Sequence, residues 1–565
     1  MPRGLGFYLN LVRQPGRVYA RLARSQRVDG RVRTQVLVNL GRVTPAQIEA
    51  LQRWVSSNPL LPSAHAQALP DLRTVHIRRS WSYGREALAH FLWWKLGLHR
   101  LVLESLNGVP GKARVERAIE TMVVNRLCDP TSKYGLQEWL GGSSTRFLLG
   151  YGNAPTYDNL FYRAMDRLYL RRDLLEPKVY RGVVRPLTDS RTILYHDLTS
   201  TYCEREPGGL VQFGYSRDGV PGCPQVNWGM VVTPEGLPIT SQVYAGNTKD
   251  EATVTAMRER LQEVFGLSGG LYVGDRGMRT ADIVADLVRH GFHYILAEKN
   301  SSNAAQEALA LGRKVAGVAI GSANTAREVV TKDGARHIVL LNAYRRRELL
   351  DVLERRQAQG RAILARWRNR VGKVHHHEIL KGAQAELRSA GLGDLFDLGF
   401  DEDTLQGLTS EWKLRVERTK QWAGWWVLST DTTLPITEVV DLYQGLAVIE
   451  QGWKEIKGVL EVRPLHHRLE RRIAAHLMLC ELAYLLERVT ERKVREAGVS
   501  GRSGPLTGWA AVEEFRTMTA NQLEVGTTGV QFYRITEPSA RQTEILRAVG
   551  LEESAFRKGW TGLDA

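Results

Sequence analysis

Cysteine is scarce: only Cys128, Cys203, Cys223 and Cys480 occur in 565 residues, and none is closely paired in sequence. That scatter excludes a disulfide-framed scaffold and the usual zinc spacings, and it fits a reducing compartment. Apolar runs of about 18 residues, long enough to span a membrane, are also missing. Arg3 and Arg13 interrupt the N-terminus where a secretory signal core would lie. A protein working inside the cell is expected. No internal repeat or low-complexity tract is evident, and 43% hydrophobic with 24% charged residues describes a folded rather than a disordered chain. At about 150 residues per domain the length suggests two to four units, or one domain with a large insertion.

Acidic residues are outnumbered, 61 against 77 Lys and Arg, for a net charge of +16. Such an excess attracts polyanions, nucleic acid foremost, although charge alone separates neither DNA from RNA and anionic lipid nor a binding face from a solvated one. Residues 1–60 carry ten Arg and no Lys against Asp29 and Glu49, which is half of the net charge. Arginine suits phosphate because its planar fork donates two hydrogen bonds at once.

Along the chain, Val18–Leu22 and Val32–Val38 flank Asp29-Gly30 and read as a β-hairpin inside a basic N-terminal region, 1–60. A Pro/Ser-containing linker, Asn58 to Asp71, follows. From Gly84 to about Tyr180 the apolar spacing is helical, and 72–185 is read as a helical region, with a DNA-end reader and a plain structural bundle both open. From 190 the pattern changes to β-β-β-α-β-α-β, with strands at Thr192–Asp197, Val226–Val232, Leu237–Tyr244, Leu271–Asp275 and His293–Ala297. Mixed hairpin and crossover connections in that order predict an α/β fold of the RNase H-like type, a mixed sheet flanked by helices. Its first part is placed at 190–300, and an insertion domain at 301–423. The insertion is expected to be β-rich, with strand-like pieces at Glu328–Lys332, His337–Leu341 and Leu414–Arg418 and a charged helix Arg345–Arg368. The second part of the core is placed at 424–490 and a C-terminal helical region at 491–565.

Two constellations carry chemistry. Asp197 and Asp275 each end an apolar strand, and on neighbouring strands their carboxylates would meet at one sheet edge. Paired carboxylates bind hard divalent cations, although a lone strand-end Asp is more often a turn or cap residue. Gly274 and Gly277 would leave room for a nucleic-acid backbone to approach. The second is a helix from about Pro435 to Leu460, with a core-facing seam at Leu442, Leu446, Ile449, Trp453, Ile456 and Leu460. Tyr443, Glu450 and Lys457 follow seam positions at intervals of seven, so they share one stripe at the edge of the buried face.

Together these features resemble bacterial insertion-sequence transposases of the DDE class, in the branch with a Tyr–Arg–Glu–Lys signature helix and an insertion before its glutamate. The resemblance rests on Tyr195–Thr199, Gly214–Gly219, Gly246–Asp250, Gly274–Met278, Tyr443 to Lys457, Arg463–Arg468, Arg472–His476 and Asn125–Lys133. It implies that Asp197, Asp275 and Glu450 are the catalytic metal ligands for two Mg2+ ions, with Mn2+ able to substitute. It implies phosphoryl transfer on double-stranded DNA: cleavage at element ends and strand transfer to target DNA, of cut-and-paste type, by a homodimer in the DNA complex and in the bacterial cytoplasm at the nucleoid. Tyr443, Lys457, Arg276, Lys454 and Trp425 are the expected DNA contacts. The signature arginine falls on Leu446, an apolar seam position, so its phosphate contact must come from elsewhere, Lys454 or Arg276 being candidates.

Trp425-Trp426 could stack on a flipped base, but alternate strand residues face opposite ways, so at least one is expected in the core. His375-His376-His377 reads as a polar loop, because three consecutive side chains cannot face one ion. Lys299 is read as a surface lysine that could touch DNA. Two other functions remain open at this point: an RNase H-like nuclease without strand transfer, and a non-catalytic DNA-binding domesticated transposase.

Overall fold

The structure is a computed structural model that describes all residues except 1–6, 16, 29–30, 46, 50, 53–74, 153–155, 190, 371–372, 397, 399–409, 502–503, 526–529 and 559–565. The Asp29-Gly30 pair and the expected linker Asn58 to Asp71 lie outside the described residues. The chain forms two compact units: Met1–Leu187 with Thr201–Gly209 and Gly452–Ala565, and Thr188–Ser200 with Leu210–Gln451. Among the described residues no helix is long and apolar enough to cross a membrane.

In the first unit, strands β1 (Phe7–Gln14), β2 (Arg17–Val28) and β3 (Arg31–Arg42) form an antiparallel sheet in that order. The two expected hairpin arms are β2 and β3, and β1 adds a third strand. Ala20, Val43 and Leu51 centre its small core. The helical region includes Gly84–Lys95, Lys112–Cys128 and Asp158–Leu170. A 27-residue helix, Glu470–Glu496, packs against the latter two and is buried continuously from Ala475 to Glu491. A helix with no exposed face is a core helix, and Lys112–Cys128, buried continuously from Ala118 to Cys128, is a second one.

The C-terminal region is not purely helical. Besides the short strands β14 (Ser500–Gly501) and β15 (Gly504–Pro505), it contributes β16 (Thr519–Val525) and β17 (Val530–Ile535). These join β4 (Val75–Ser82) in a sheet ordered β17-β16-β4, with Thr519 opposite Ser82.

The second unit is built on nine strands: β5 (Ile193–Tyr202), β6 (Gln225–Val232), β7 (Pro238–Ala245), β8 (Gly270–Gly274), β9 (Phe292–Ala297), β10 (Val318–Ile320), β11 (Asn324–Val330), β12 (Arg336–Asn342) and β13 (Trp425–Thr430). Their order is β10-β11-β12-β13-β9-β8-β5-β6-β7. β5, β8 and β9 run parallel and β6 pairs antiparallel with β7, which is the mixed sheet the element order called for. The helices Asp250–Glu263 and Ala281–Arg289 lead into β8 and β9. Every residue of β6 is buried, as a central strand covered on both faces requires.

The inserted segment differs from expectation. Its strands β10 to β12 extend the central sheet through β13 instead of forming a separate β-rich domain. Its other described elements are helices: Asn303–Gly312, Ala343–Arg368, His376–Ser389 and Ser410–Trp422. Leu414–Arg418, expected as strand, lies in the last of these. Its straight-chain charged residues favour helix, and Val416 fills a helical core with Leu353, Ile363, Leu387 and Phe396. That cluster gives the helices a hydrophobic centre of their own.

Candidate active site

Backbone register brings the two aspartates together, although only Asp275 follows a strand end. β8 stops at Gly274, whereas Asp197 is the fifth of ten residues in β5, which continues to Tyr202 because Leu198 to Thr201 are buried as well. His196 of β5 lies opposite Gly274 of the parallel strand β8, so Asp197 and Asp275 each follow one residue beyond that pair. Adjacent strands are about 4.8 Å apart, so both side chains start close together, at the C-terminal end of β8. Asp197 is half-buried and Asp275 exposed. His196 is buried, paired through Nδ1 with the Tyr272 hydroxyl, and burial pushes its pKa down to about 3. It is a neutral spacer within the sheet, not a ligand at its edge.

The Asp275 loop is shaped by its glycines, but the space is used by the protein itself. A Cβ on Gly274 would lie 3.0 Å from Leu296 Cδ2 and 3.1 Å from Met278 Sδ, and one on Gly277 would lie 3.1 Å from Asp250 Cγ. Asp250 is ion-paired with Arg217, whose backbone N–H donates to Ser200 Oγ at 2.8 Å. The Gly214–Gly219 and Gly246–Asp250 motifs thus meet behind Gly277, where they buttress the loop that carries Asp275. Arg217 and Asp250 were visible as motif residues, but nothing in their spacing showed that they pair. Lys299 is paired with Glu251 at 3.1 Å.

The expected single helix from Pro435 to Leu460 is two, Ile436–Gln444 and Ala447–Gly458. The break falls at Gly445, where a Cβ would lie 2.8 Å from Cζ of Tyr195 on β5, with the hydroxyl oxygen closer still. The signature segment therefore sits directly on the strand that bears Asp197. Leu446, Ile449, Trp453, Ile456 and Leu460 are buried, so leucine in place of the signature arginine is an ordinary core residue.

Tyr443 links the two constellations. Its hydroxyl donates to Asp275 Oδ1 at 3.4 Å. Its pKa is raised by burial and by the negative charges of Asp275 and Glu450, with Arg276 opposing. Glu450 and Arg276 are exposed. Lys454, exposed, and Lys457, half-buried, follow on the same helix within the segment that belongs to the first unit. Among the described residues one trio of ligand-type side chains closes to within 4.8 Å, Glu455, Glu487 and Glu491, so the oxygens of Asp197, Asp275 and Glu450 are spread more widely than that.

Trp425 and Trp426 are both half-buried. The Trp425 ring is flanked by the guanidiniums of Arg313 and Arg327 at 5.5 and 5.2 Å, so cations from the inserted segment already occupy its surroundings. His375 precedes the helix His376–Ser389 as its N-cap, and His375 and His377 are exposed.

Residues 12–60 match the N-terminal domain of IS1634 family transposases. Comparison with curated proteins brings no match. Among solved structures, the chain is similar to a piggyBac transposase determined by cryo-EM as a synaptic complex with hairpin DNA, with 8% identity and a TM-score of 0.37 over 85% of this chain and 82% of that one. Residues 189–486 match the family described as the transposase DDE domain, a span that takes in more than half of the chain and all of Asp197, Asp275 and Glu450. The chain belongs to the DDE-domain transposases of bacterial insertion sequences and is a DNA transposase.

Proposed function

We propose that this transposase cuts DNA at the ends of its own element and joins them to target DNA in a cut-and-paste reaction, with Asp197, Asp275 and Glu450 holding two divalent metal ions. DDE domains use divalent ions, and Mg2+ is the ion proposed here, with Mn2+ able to substitute. The donor set fits: three carboxylates offer hard oxygen ligands, and the exposure of Asp275 and Glu450 leaves room for phosphate oxygens. When bound, such ions activate an attacking water or 3′-hydroxyl and neutralise charge on the phosphate and leaving oxygen.

The chain's own groups position and hold. The Tyr443 hydroxyl donates to Asp275 and orients it, and burial keeps that hydroxyl protonated. Arg276, Lys454 and Lys457 are assigned to phosphates and Trp425 to a base, while the arginines of the N-terminal sheet add contacts independent of sequence. Because two ends must be joined in one event, a homodimer in the DNA complex, acting at the nucleoid in the cytoplasm, is part of the proposal.

The observation that carries this reading is Tyr443, which touches one strand acid and feels the charge of the helix acid. The test uses linear DNA bearing the element ends, Mg2+, and the variants Asp197→Asn, Asp275→Asn and Glu450→Gln. Each should bind the DNA and lose cleavage by roughly 10³-fold, about 4 kcal/mol of barrier. Cleavage without joining in the parent would leave a nuclease, and binding without cleavage would leave a DNA-binding protein.

A further inference from the structure

The first unit holds a second set of carboxylates that uses none of the residues assigned to catalysis. Tyr484, Glu487, Arg488 and Glu491 recur at helical spacing along Glu470–Glu496, so they line one face of that helix. Glu455, from the helix Ala447–Gly458, comes up to them. One oxygen from each of Glu455, Glu487 and Glu491 lies within 4.8 Å of the others. Glu487 and Glu491 are each 2% exposed, whereas Glu455 is partly exposed and gives the cluster an open side.

The hydrogen bonds around the trio leave part of it unused. Glu491 Oε1 receives Arg488 at 3.0 Å and Arg495 at 2.5 Å, and its Oε2 accepts from the Gly508 amide at 3.0 Å. Glu487 Oε1 accepts from the Trp509 amide at 2.9 Å. Glu487 Oε2 and the Tyr484 hydroxyl are buried and have no hydrogen-bond partner among the described residues. That hydroxyl is in the electrostatic range of all three carboxylates. A Cβ on Gly452 would lie 2.5 Å from it, so the facing helix comes down closely on the phenol. Both guanidiniums are bound to Glu491, and Arg495 is half exposed.

We propose that Glu455, Glu487, Glu491 and the Tyr484 hydroxyl form a second, structural site for a divalent cation of the calcium class. Three oxygens within 4.8 Å of one another lie no more than about 2.8 Å from a common centre, so small side-chain shifts bring them to the roughly 2.3–2.6 Å of calcium–oxygen bonds. All the donors are oxygens, which favours calcium, magnesium or manganese over thiophilic metals. A proton on Glu487 is the competing solution, and burial with Glu455 nearby does push that carboxyl up to about 8. A proton neutralises one acid, whereas a dication serves all three and gives the Tyr484 oxygen a partner. The ion would tie the Gly452–Gly458 turns to the buried helix.

The experiment uses the full chain carrying Asp197→Asn, Asp275→Asn and Glu450→Gln, so that the proposed catalytic ligands are silenced. Terbium is titrated with tyrosine excitation, because Tyr484 beside the ion is a built-in sensitiser, and Ca2+ is then used to displace it. The expected result is one terbium per chain, displaced by Ca2+, with a Ca2+-dependent rise in Tm. Adding Glu455→Gln should weaken binding at least tenfold and abolish the Tm rise. Tyr484→Phe should cut the sensitised emission severalfold. Absence of terbium binding in the triple variant, or unchanged binding with Glu455→Gln, would overturn the proposal and leave a proton on Glu487 as the balancing charge.

Discussion

Gly445→Ala is the sharpest test of how the signature segment is seated. Gly445 has ordinary helical geometry, φ −57° and ψ −19°, so no backbone strain opposes alanine there. Judged by helix propensity alone, alanine should stabilise the protein by up to about 1 kcal/mol. The packing has the opposite sign. The new methyl would lie 2.8 Å from Tyr195 Cζ, against ordinary contacts of 3.4 Å or more, and Tyr195 is only 2% exposed. One side must give by at least about 0.6 Å, an overpacking that costs roughly 1–3 kcal/mol. The net expectation is a lowered Tm. Because the displaced turn lies between Tyr443 and Glu450, cleavage should fall as well. Misplacement by about 1 Å costs up to roughly 10²-fold in rate. Single-turnover cleavage of end-bearing DNA and thermal unfolding would be measured together, for Gly445→Ala and for Gly445→Ala with Tyr195→Phe. Removing the hydroxyl relieves the tightest approach but leaves Cζ, so the pair should recover part of both losses. A raised Tm with parental cleavage in Gly445→Ala, or no relief from Tyr195→Phe, would refute the reasoning.

Two further outcomes are expected. Tyr443→Phe removes the hydroxyl from Asp275 and should slow cleavage about fivefold, the worth of one hydrogen bond of about 1 kcal/mol. The loss should be constant from pH 6 to 9, because the raised pKa keeps the phenol protonated throughout, and a loss that varies with pH would show otherwise. Lys133 is 4% exposed, and burial with the nearby Arg126 guanidinium pushes its pKa from 10.5 down to about 7. Below pH 7 both folded and unfolded chains bind the proton and the fold bears the full cost, about 5 kcal/mol at 1.36 kcal/mol per unit. Between pH 7 and 10.5 the unfolded chain holds more protons, so stability rises with pH. Lys133→Met should therefore raise Tm most at pH 6 and progressively less towards pH 10, and a pH-independent fall in Tm would contradict this.

Much of the site was legible in the residues because burial leaves a local, periodic mark. The apolar runs leading to Asp197 and Asp275, the order β-β-β-α-β-α-β and the seam through Leu446 to Leu460 all follow from side chains a few positions apart, and they appear in the structure, except that β5 runs on past Asp197 to Tyr202. Features that depend on distant partners left no such mark. Whether the strands of the insertion stand alone or extend the sheet depends on β13 pairing with both β12 and β9, which neither strand's composition reveals. The strand β16 looked like part of a helical tail because its partner β4 lies more than 400 residues earlier. Leu414–Arg418 alternates well enough for a strand, and the helical core around Val416 decides against it.

The same division runs through the chemistry. The sequence by itself determined that Asp197 and Asp275 each follow a run of apolar strand residues and that Glu450 stands on a helix, since residue type and short spacing settle that. Only the tertiary structure decided that Gly445 breaks the helix against Tyr195, that Arg217 and Asp250 fill the space behind Gly277, and that Glu455 meets Glu487 and Glu491. Close packing acts at atomic distances between residues remote in the chain, and no pattern read along one strand of text encodes it.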